Sequence, residues 1–558
     1  VSDIEQRLIE AARRGDVLKC AEPDNVVRAE LIRELLLGRH GELDPRGVML
    51  AGARIEGTLD LDSVNAVVGL DLDHCVIDAP IQARQAVLPL LKLYGGRCAG
   101  LRADGVQIDQ HLFLRDGIRI NSDDEGGAVR LLGANISGYL DLSDAEITNT
   151  AGPALYADYL RVGGYLMMRN GTRITGHGEN GAVNLLGARI TSSVEFKDVE
   201  MTNAAGPAVT ANRMHVGGTL LYHRVQITGH GEHGAINLLG AHVAGNLLLS
   251  DVQITNAAGP AVQARQVRVD HSLHLRKRIT LSGDGDSGAV DLAGAQVTSF
   301  IGVDGIELEI RLGSGPLLDL SEMTVGTTVA LPAAFVCPDR GRGAKCVHKR
   351  AVRLNEFSYK SLGPDWDWER WLHVIRCHTP AYHASAYQRL AATERAAGHD
   401  GTVRRILMTQ QTDLRRRSPK SLGGWLTRRF HWMWGVLAGY GYRARRTAAA
   451  LLLVLAVAGA LGWWAGQVPT RPGHLVAERV TSATAATGVP CSTVELIGLG
   501  LDRGLPLAMT GMRARCDLDT ASRAGQAFTA AIWLVQLAVW GLATLALAGY
   551  TNLVRKPG

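Results

Sequence analysis

Three glycine-rich stretches carry the pattern most often tied to chemistry. GHGENG (176–181), GHGEHG (229–234) and the run Gly283–Gly288 within SGDGDSG each match G-x-G-x-x-G. That fingerprint holds a pyrophosphate when a strand enters it and a helix leaves it, because backbone amides and the helix N-terminus then meet the phosphates. Here each match is followed by a strand-like segment, AVNLL, AINLL or AVDLA, and the match recurs in register. A dinucleotide domain needs it once. The glycines therefore read as corner residues that permit positive φ, and no cofactor is expected.

The same corners stack acids and histidines. Asp123, Asp124 and Glu125 are followed by Glu179, Glu232, Asp284 and Asp286, joined by His177, His230 and His233. A calcium-binding loop needs alternating oxygen ligands, which this spacing lacks, so a solvated turn edge is expected. Cys337, Cys346, His348 and Cys377 are the candidate metal ligands, but C-x8-C-x-H is not a standard zinc knuckle. Asn149, Asn203 and Asn256 occupy one place in ITNTAGP, MTNAAGP and ITNAAGP, which predicts a structural ladder hydrogen-bonded from rung to rung. A polysaccharide-cleaving enzyme would instead need a few irregular carboxylates on one strand face. No nucleophile elbow or Ser/His/Asp arrangement is visible, and no catalytic residue is assigned.

The element that positions these residues is a repeat. GGAVRLLGANISGYLDL, NGAVNLLGARITSSVEF, HGAINLLGAHVAGNLLL and SGAVDLAGAQVTSFIGV are marked by Gly127, Gly181, Gly234 and Gly288, a period of 53 to 54 residues. A related unit lies between them, marked by Gly152, Gly206 and Gly259, so successive units are 25 to 29 residues long. Apolar residues fall at spacings of two, and β-branched residues and glycine corners support strands. The unit length predicts a mainly β fold, a parallel right-handed β-helix with three short strands per coil, over 47–331. Two charged amphipathic helices are expected in 1–46, as a cap on the open strand edge.

The remaining chain changes character. A helical linker domain is expected over 332–424, with a hairpin formed around SAYQRLAATERAAGHD. WLTRRFHWMWGVLAGYGYR reads as a basic, aromatic juxtamembrane helix over 425–446. TAAALLLVLAVAGALGWW and AFTAAIWLVQLAVWGLATLALAG predict transmembrane helices over 447–466 and 527–550. A loop at 467–526 joins them, and 551–558 forms a short tail.

Net charge is +5, but the cations are not spread evenly. From Gly401 to Arg446 eleven Lys and Arg meet one acid, Asp413, directly before a hydrophobic span. Anionic lipid headgroups explain that run better than nucleic acid. Arg428, Arg429, Arg443, Arg445 and Arg446 precede the first span, which places both termini in the cytoplasm of a plasma-membrane, multi-pass protein. Of eight cysteines, six scatter as in reduced proteins, while Cys491 and Cys516 lie in the external loop and are expected to be free to pair there.

The hairpin, the GYGYR element and the span ending GLATLALAGYTNLVRK resemble a family of actinobacterial membrane proteins that join a repeat-rich cytoplasmic region to two C-terminal helices. Some members carry the label membrane-associated oxidoreductase. The same junction is similar to that between pentapeptide-repeat regions and ion-channel-like helix pairs. The resemblance covers roughly Asp365 to the C-terminus and implies no catalytic residues. From the residues themselves, the expected role is a non-enzymatic scaffold, adaptor or sensor whose solenoid face meets a protein partner. A membrane-associated oxidoreductase is the alternative, and a small pore formed by homo-oligomers of the transmembrane helices a further one.

Overall fold

A computed structural model describes residues 2–20, 25–283, 288–312, 315–331, 336, 350–364, 366–441, 444–480, 488–505 and 511–554. The chain divides into two compact units, Val1–Gly398 and His399–Gly558. The division falls inside the stretch expected to form one linker domain.

The first unit is a parallel β-solenoid of about 11 turns. The earlier turns have four short strands, one on each of four sides, whereas the turns from Val183 onward have the three expected. In one of the earlier turns they are Leu91–Tyr94 (side I), Arg97–Cys98 (side II), Leu101–Arg102 (side III) and Gln107–Ile108 (side IV). Every side pairs in parallel with the same side of the next turn, as in Leu91↔Leu112, Arg97↔Arg119, Leu101↔Val129 and Gln107↔Asn135.

Two corners are turned by residues in the left-handed region. Between sides I and II stand Asp144 (φ 58), Asp198 (φ 57), Arg224 (φ 51) and Asp251 (φ 54). Between sides III and IV glycine alternates with larger residues: Gly133, Tyr159, Gly187, Arg213, Gly240 and Gln266. A side chain there costs conformational energy, yet each turn gains a regular amide-to-carbonyl bond to the next, such as Tyr159 N to Leu186 O and Gly187 N to Asn212 O. From Val194 onward sides I and II run together as one bent strand, first as Val194–Asn203 and then as Leu220–Gly229.

Alternation fills the interior. Leu112, Leu140, Leu166, Val194 and Leu220 stack on side I and are fully buried. Burying such a side chain contributes about 1.5–3 kcal/mol, repeated at every rung. Phe196 and Tyr222 stack inside with ring centroids 4.9 Å apart.

The solenoid is longer than its repeats suggest. Val352–Arg353 pairs with Leu318–Asp319, and Ser361–Leu362 with Thr328–Val329, so strands continue past 331. At the other end Leu18–Lys19 and Val26–Arg28 already pair with Leu50–Ala51 and Arg54–Glu56. Helices α1 (Asp3–Arg14) and α2 (Ala29–Leu36) bury Leu8, Ala12, Ile32, Leu35 and Leu36 beside these strands. Near the C-terminal end of the unit, α3 (Trp368–Cys377) sets Trp371 against Tyr359 and Trp366, and α4 (Ala384–Ala396) buries Tyr387 and Leu390.

The second unit holds α5 (Asp400–Arg417), α6 (Trp425–Ala438), α7 (Ala444–Ala465), α8 (Thr493–Gly504) and α9 (Arg523–Val554). Two of them, over Arg445–Ala465 and Arg523–Leu547, are long and apolar enough to cross a membrane. Between them, strand Ala477–Arg479 pairs antiparallel with Cys516–Leu518. A small core joins Ala465, Val476, Leu496, Leu499, Leu518 and Ile532.

Candidate functional site

The glycine-rich corners lie at the entry to side III. Gly127, Gly181, Gly234 and Gly288 have φ of 120°, 143°, 101° and 92°, and a methyl group on Gly181 would overlap Asn184 Oδ1. Gly181, Gly234 and Gly288 lead into the strands Val183–Asn184, Ile236–Asn237 and Val290–Asp291. Several of the local amides already have partners: His177 N bonds Gly152 O, Gly181 N bonds Gly178 O, and Gly234 N bonds Gly231 O. Among the described residues these corners lead into strands and not into a helix, whose N-terminus is what a pyrophosphate requires.

Asn149, Asn203 and Asn256 are buried at the end of side II. They do not stack on one another, because they occupy alternate turns: Gly176 stands opposite Asn203, and Gly229 opposite Asn256. Each Nδ2 donates to a carbonyl in the preceding turn and to a proline carbonyl four residues on. For Asn203 these are Gly178 O at 2.7 Å and Pro207 O at 2.6 Å; for Asn149, Asp124 O and Pro153 O, both at 2.8 Å. The arrangement fastens the ITN corner to the glycine-rich corner beneath it.

One acid of the corner, Asp124, is engaged within the fold. Asp124 accepts from Gly126 N and Arg102, and these hold its carboxyl below the usual range. Asp284 and Asp286 lie outside the described residues, as do Cys337, Cys346 and His348. Cys377 is exposed at the end of α3, with Sγ 3.5 Å from His373 Nδ1. His378 is buried and its Nδ1 bonds Arg350 O at 2.7 Å. Burial pushes the Cys75 and Cys98 thiols up to about 11, so these two are inert as thiolates.

Cys491 and Cys516 are joined as a disulfide with Cα atoms 6.5 Å apart. The bond ties the start of α8 to the strand Cys516–Leu518. Ser2–Glu5 and Ser492–Glu495 form capping boxes that start α1 and α8.

The basic aromatic segment forms α6 and the start of α7. Arg428, Arg429, Arg445 and Arg446 are exposed; Arg443 lies outside the described residues. Trp425, Leu426, Phe430 and Trp432 are exposed on the same short helix, and Arg429 sits 5.5 Å from the Trp425 ring centroid. On α7 and α9 the open surface is itself apolar: Leu452 and Leu453 are 67% exposed and Leu534 69%. Helix α8 packs tightly on α7 through small residues. A methyl on Gly500 would overlap Ala458 O, and one on Gly462 would overlap Leu496 O.

On the solenoid surface, sides I to III share a pairing rule that most of their outward bases follow: the base meets an acid from a neighbouring turn. Lys92 meets Asp71, Arg97 meets Asp78, Arg119 meets Glu146, Arg130 meets Asp104, Arg173 meets Glu200 and Arg353 meets Asp319. Arg97, Arg119 and Arg173 are each the first residue of a side II strand, a column visible in the sequence only after the turns are aligned.

Comparison with protein-family models, with curated proteins and with solved structures gives no match.

Proposed function

We propose that this chain is a membrane-tethered scaffold in which a right-handed β-solenoid is held at a bilayer by α7 and α9. Right-handedness rests on the strong preference of parallel strand connections for that hand. The observation that carries the tether is the outward-facing apolar surface of both helices. A core helix of a soluble protein hides such residues, whereas Leu452, Leu453, Trp533 and Leu537 are open. Lipid is the solvent that removes the cost of exposing them.

The direction of insertion has two supports. Arg445 and Arg446 begin α7, and cations before a first span favour the cytoplasmic side. The Cys491–Cys516 disulfide belongs to an oxidising side, while Cys20, Cys75 and Cys98 in the solenoid unit are free thiols. In this reading α6 lies at anionic headgroups, and the solenoid presents its long stacked face to a cytoplasmic protein. The test is membrane extraction. Full-length protein should resist alkaline carbonate and float with liposomes after detergent removal; recovery in the soluble fraction would overturn the tether.

A second reading, a small oligomeric pore, rests on the packing of α8 against both long helices, near Ala458 of α7 and Val535 of α9. A short helix returning between two spans is the layout of a re-entrant segment. Its test is ion flux into liposomes carrying purified protein, with Gly500→Val as the variant that disrupts the α7–α8 contact.

A further inference from the structure

Side IV departs from the pairing rule. In five successive turns the outward residue before the buried Val or Ile is Arg161, Arg189, His215, His242 and Arg268. They stand in direct register, with neighbouring strands about 4.8 Å apart. Like charges directly opposite one another in a sheet are destabilising. Arg161 and Arg189 are exposed and, among the described residues, no carboxylate lies within ion-pair distance of either. The same holds for Arg213 at the adjoining corner. Asp270 lies at the far end of the row, 2.8 Å from both Arg268 Nε and His242 Nε2.

The two histidines are linked. His242 Nδ1 is 3.0 Å from His215 Nδ1. With the His242 hydrogen on Nε2 facing Asp270, its Nδ1 accepts from His215 Nδ1–H. Burial, then the neighbouring His242 and Arg189, hold His215 below the ordinary histidine range, while Asp270 opposes them. The charged groups facing the pair are thus Arg189, Arg268 and Asp270. An anion laid over the row would oppose this depression and draw a proton onto His215.

A flat ring borders the row. Tyr159 turns its corner at φ 56 and is 59% exposed, and its ring lies against the backbone of Gly187. Tyr159, Arg161, Arg189, Arg213, His215 and His242 together line a concavity of about 510 Å³. That is within the size range of small-molecule sites.

We propose that this stretch of side IV binds a small ligand bearing clustered phosphate groups. Arginine forks match phosphate oxygens two at a time. Three turns spread the cations over about 10 Å, more than one phosphate spans and within reach of a chain of two or three. The ligand replaces the acids that sides I to III supply from within the fold. Its anions relieve the repulsion along the row, and Tyr159 offers a face on which a planar group stacks. This site stands independently of the membrane tether.

The test is calorimetric titration of the purified full-length protein in detergent with sodium tripolyphosphate. One saturable site per chain is expected, binding more tightly near about pH 6 than near about pH 8 as the ligand draws a proton onto His215. Arg161→Gln with Arg189→Gln should weaken binding about tenfold or more. Arg119→Gln, whose residue is paired with Glu146 on side II, should leave it unchanged. Without ligand the double variant should melt no lower than the wild type, because it relieves like-charge repulsion. Displacement of tripolyphosphate by a nucleoside triphosphate would assign the phosphates to a soluble ligand; displacement by vesicles carrying a doubly phosphorylated inositol headgroup would assign them to a lipid. Absence of saturable binding, equal binding by the double variant, or a double variant that melts well below the wild type would overturn the proposal.

Discussion

Asn203 Nδ2 lies 2.7 Å from Gly178 O, a carbonyl 25 residues earlier in the chain. The bond joins two turns at a corner where the strand ladder has ended. Its removal by Asn203→Ala takes one donor from each of Gly178 O and Pro207 O, which keep Gly181 N and Ala182 N. A loss of about 1–2 kcal/mol is expected from such a buried bond, read as a lower melting temperature. Unchanged melting would show that the turns hold without it.

Tyr222 gives the opposite sign. Its ring is buried against Phe196 inside the solenoid, and among the described residues its hydroxyl has no hydrogen-bond partner. Burying an unpaired hydroxyl is unfavourable. Tyr222→Phe should therefore stabilise the solenoid by about 1 kcal/mol, measured by chemical denaturation. A destabilised variant would mean that the hydroxyl is satisfied by a buried water.

Glu5 reports on acid sensitivity at the N-terminal end. It caps α1 by accepting from Ser2 N and also accepts from Arg28 Nε at 2.7 Å. The Arg28 bond, with smaller help from the Ser2 backbone, outweighs burial and lowers its carboxyl from 4.5 to about 2. A depressed folded value contributes stability above the unfolded value, and that stability is lost as the pH falls through the folded one. Glu5→Gln should speed amide exchange in α1 at neutral pH. The difference from wild type should shrink between about pH 4.5 and about pH 2. A difference independent of pH would remove the ionised carboxylate from the account.

Reducing Cys491–Cys516 should loosen the segment that carries α8. The bond closes a loop between residues 25 apart in sequence, and a loop of that size contributes about 3 kcal/mol in the chain-entropy account. Cys491→Ser should increase proteolysis between α7 and α9 and leave the solenoid's melting unchanged. Equal protease resistance with and without the bond would contradict this.

The repeat was legible because its inward residues alternate and its marker glycines recur. The fourth side was not. Within VEFKDVEMTN the corner is Asp198, a non-glycine residue in the left-handed region, and alternation runs through it as through one strand. The end of the solenoid was hidden by the 332–349 segment, after which Val352 and Leu362 rejoin the sheets. The Asn positions were visible, but their partners were not: a period of two turns looks like a stack until the register sets glycine between them. The row on side IV was harder still. Arg161, Arg189, His215 and His242 sit in RVGG, RITS, HVGG and HVAG, four motifs far apart in sequence. Only alignment of the turns, with the base–acid pairs on the other sides for contrast, brings that row out.

The most direct test of the membrane-tethered scaffold is a cysteine-accessibility pair in intact cells. Val480→Cys lies beside the strand Ala477–Arg479, between α7 and α9, and Gln107→Cys lies exposed on the solenoid. A membrane-impermeant maleimide, with signal above the parental protein counted, should label Val480→Cys at once and Gln107→Cys only after the membrane is opened. Labelling of Gln107→Cys in intact cells with protection of Val480→Cys would reverse the orientation and place the solenoid outside; equal protection or equal labelling of both would contradict the tether.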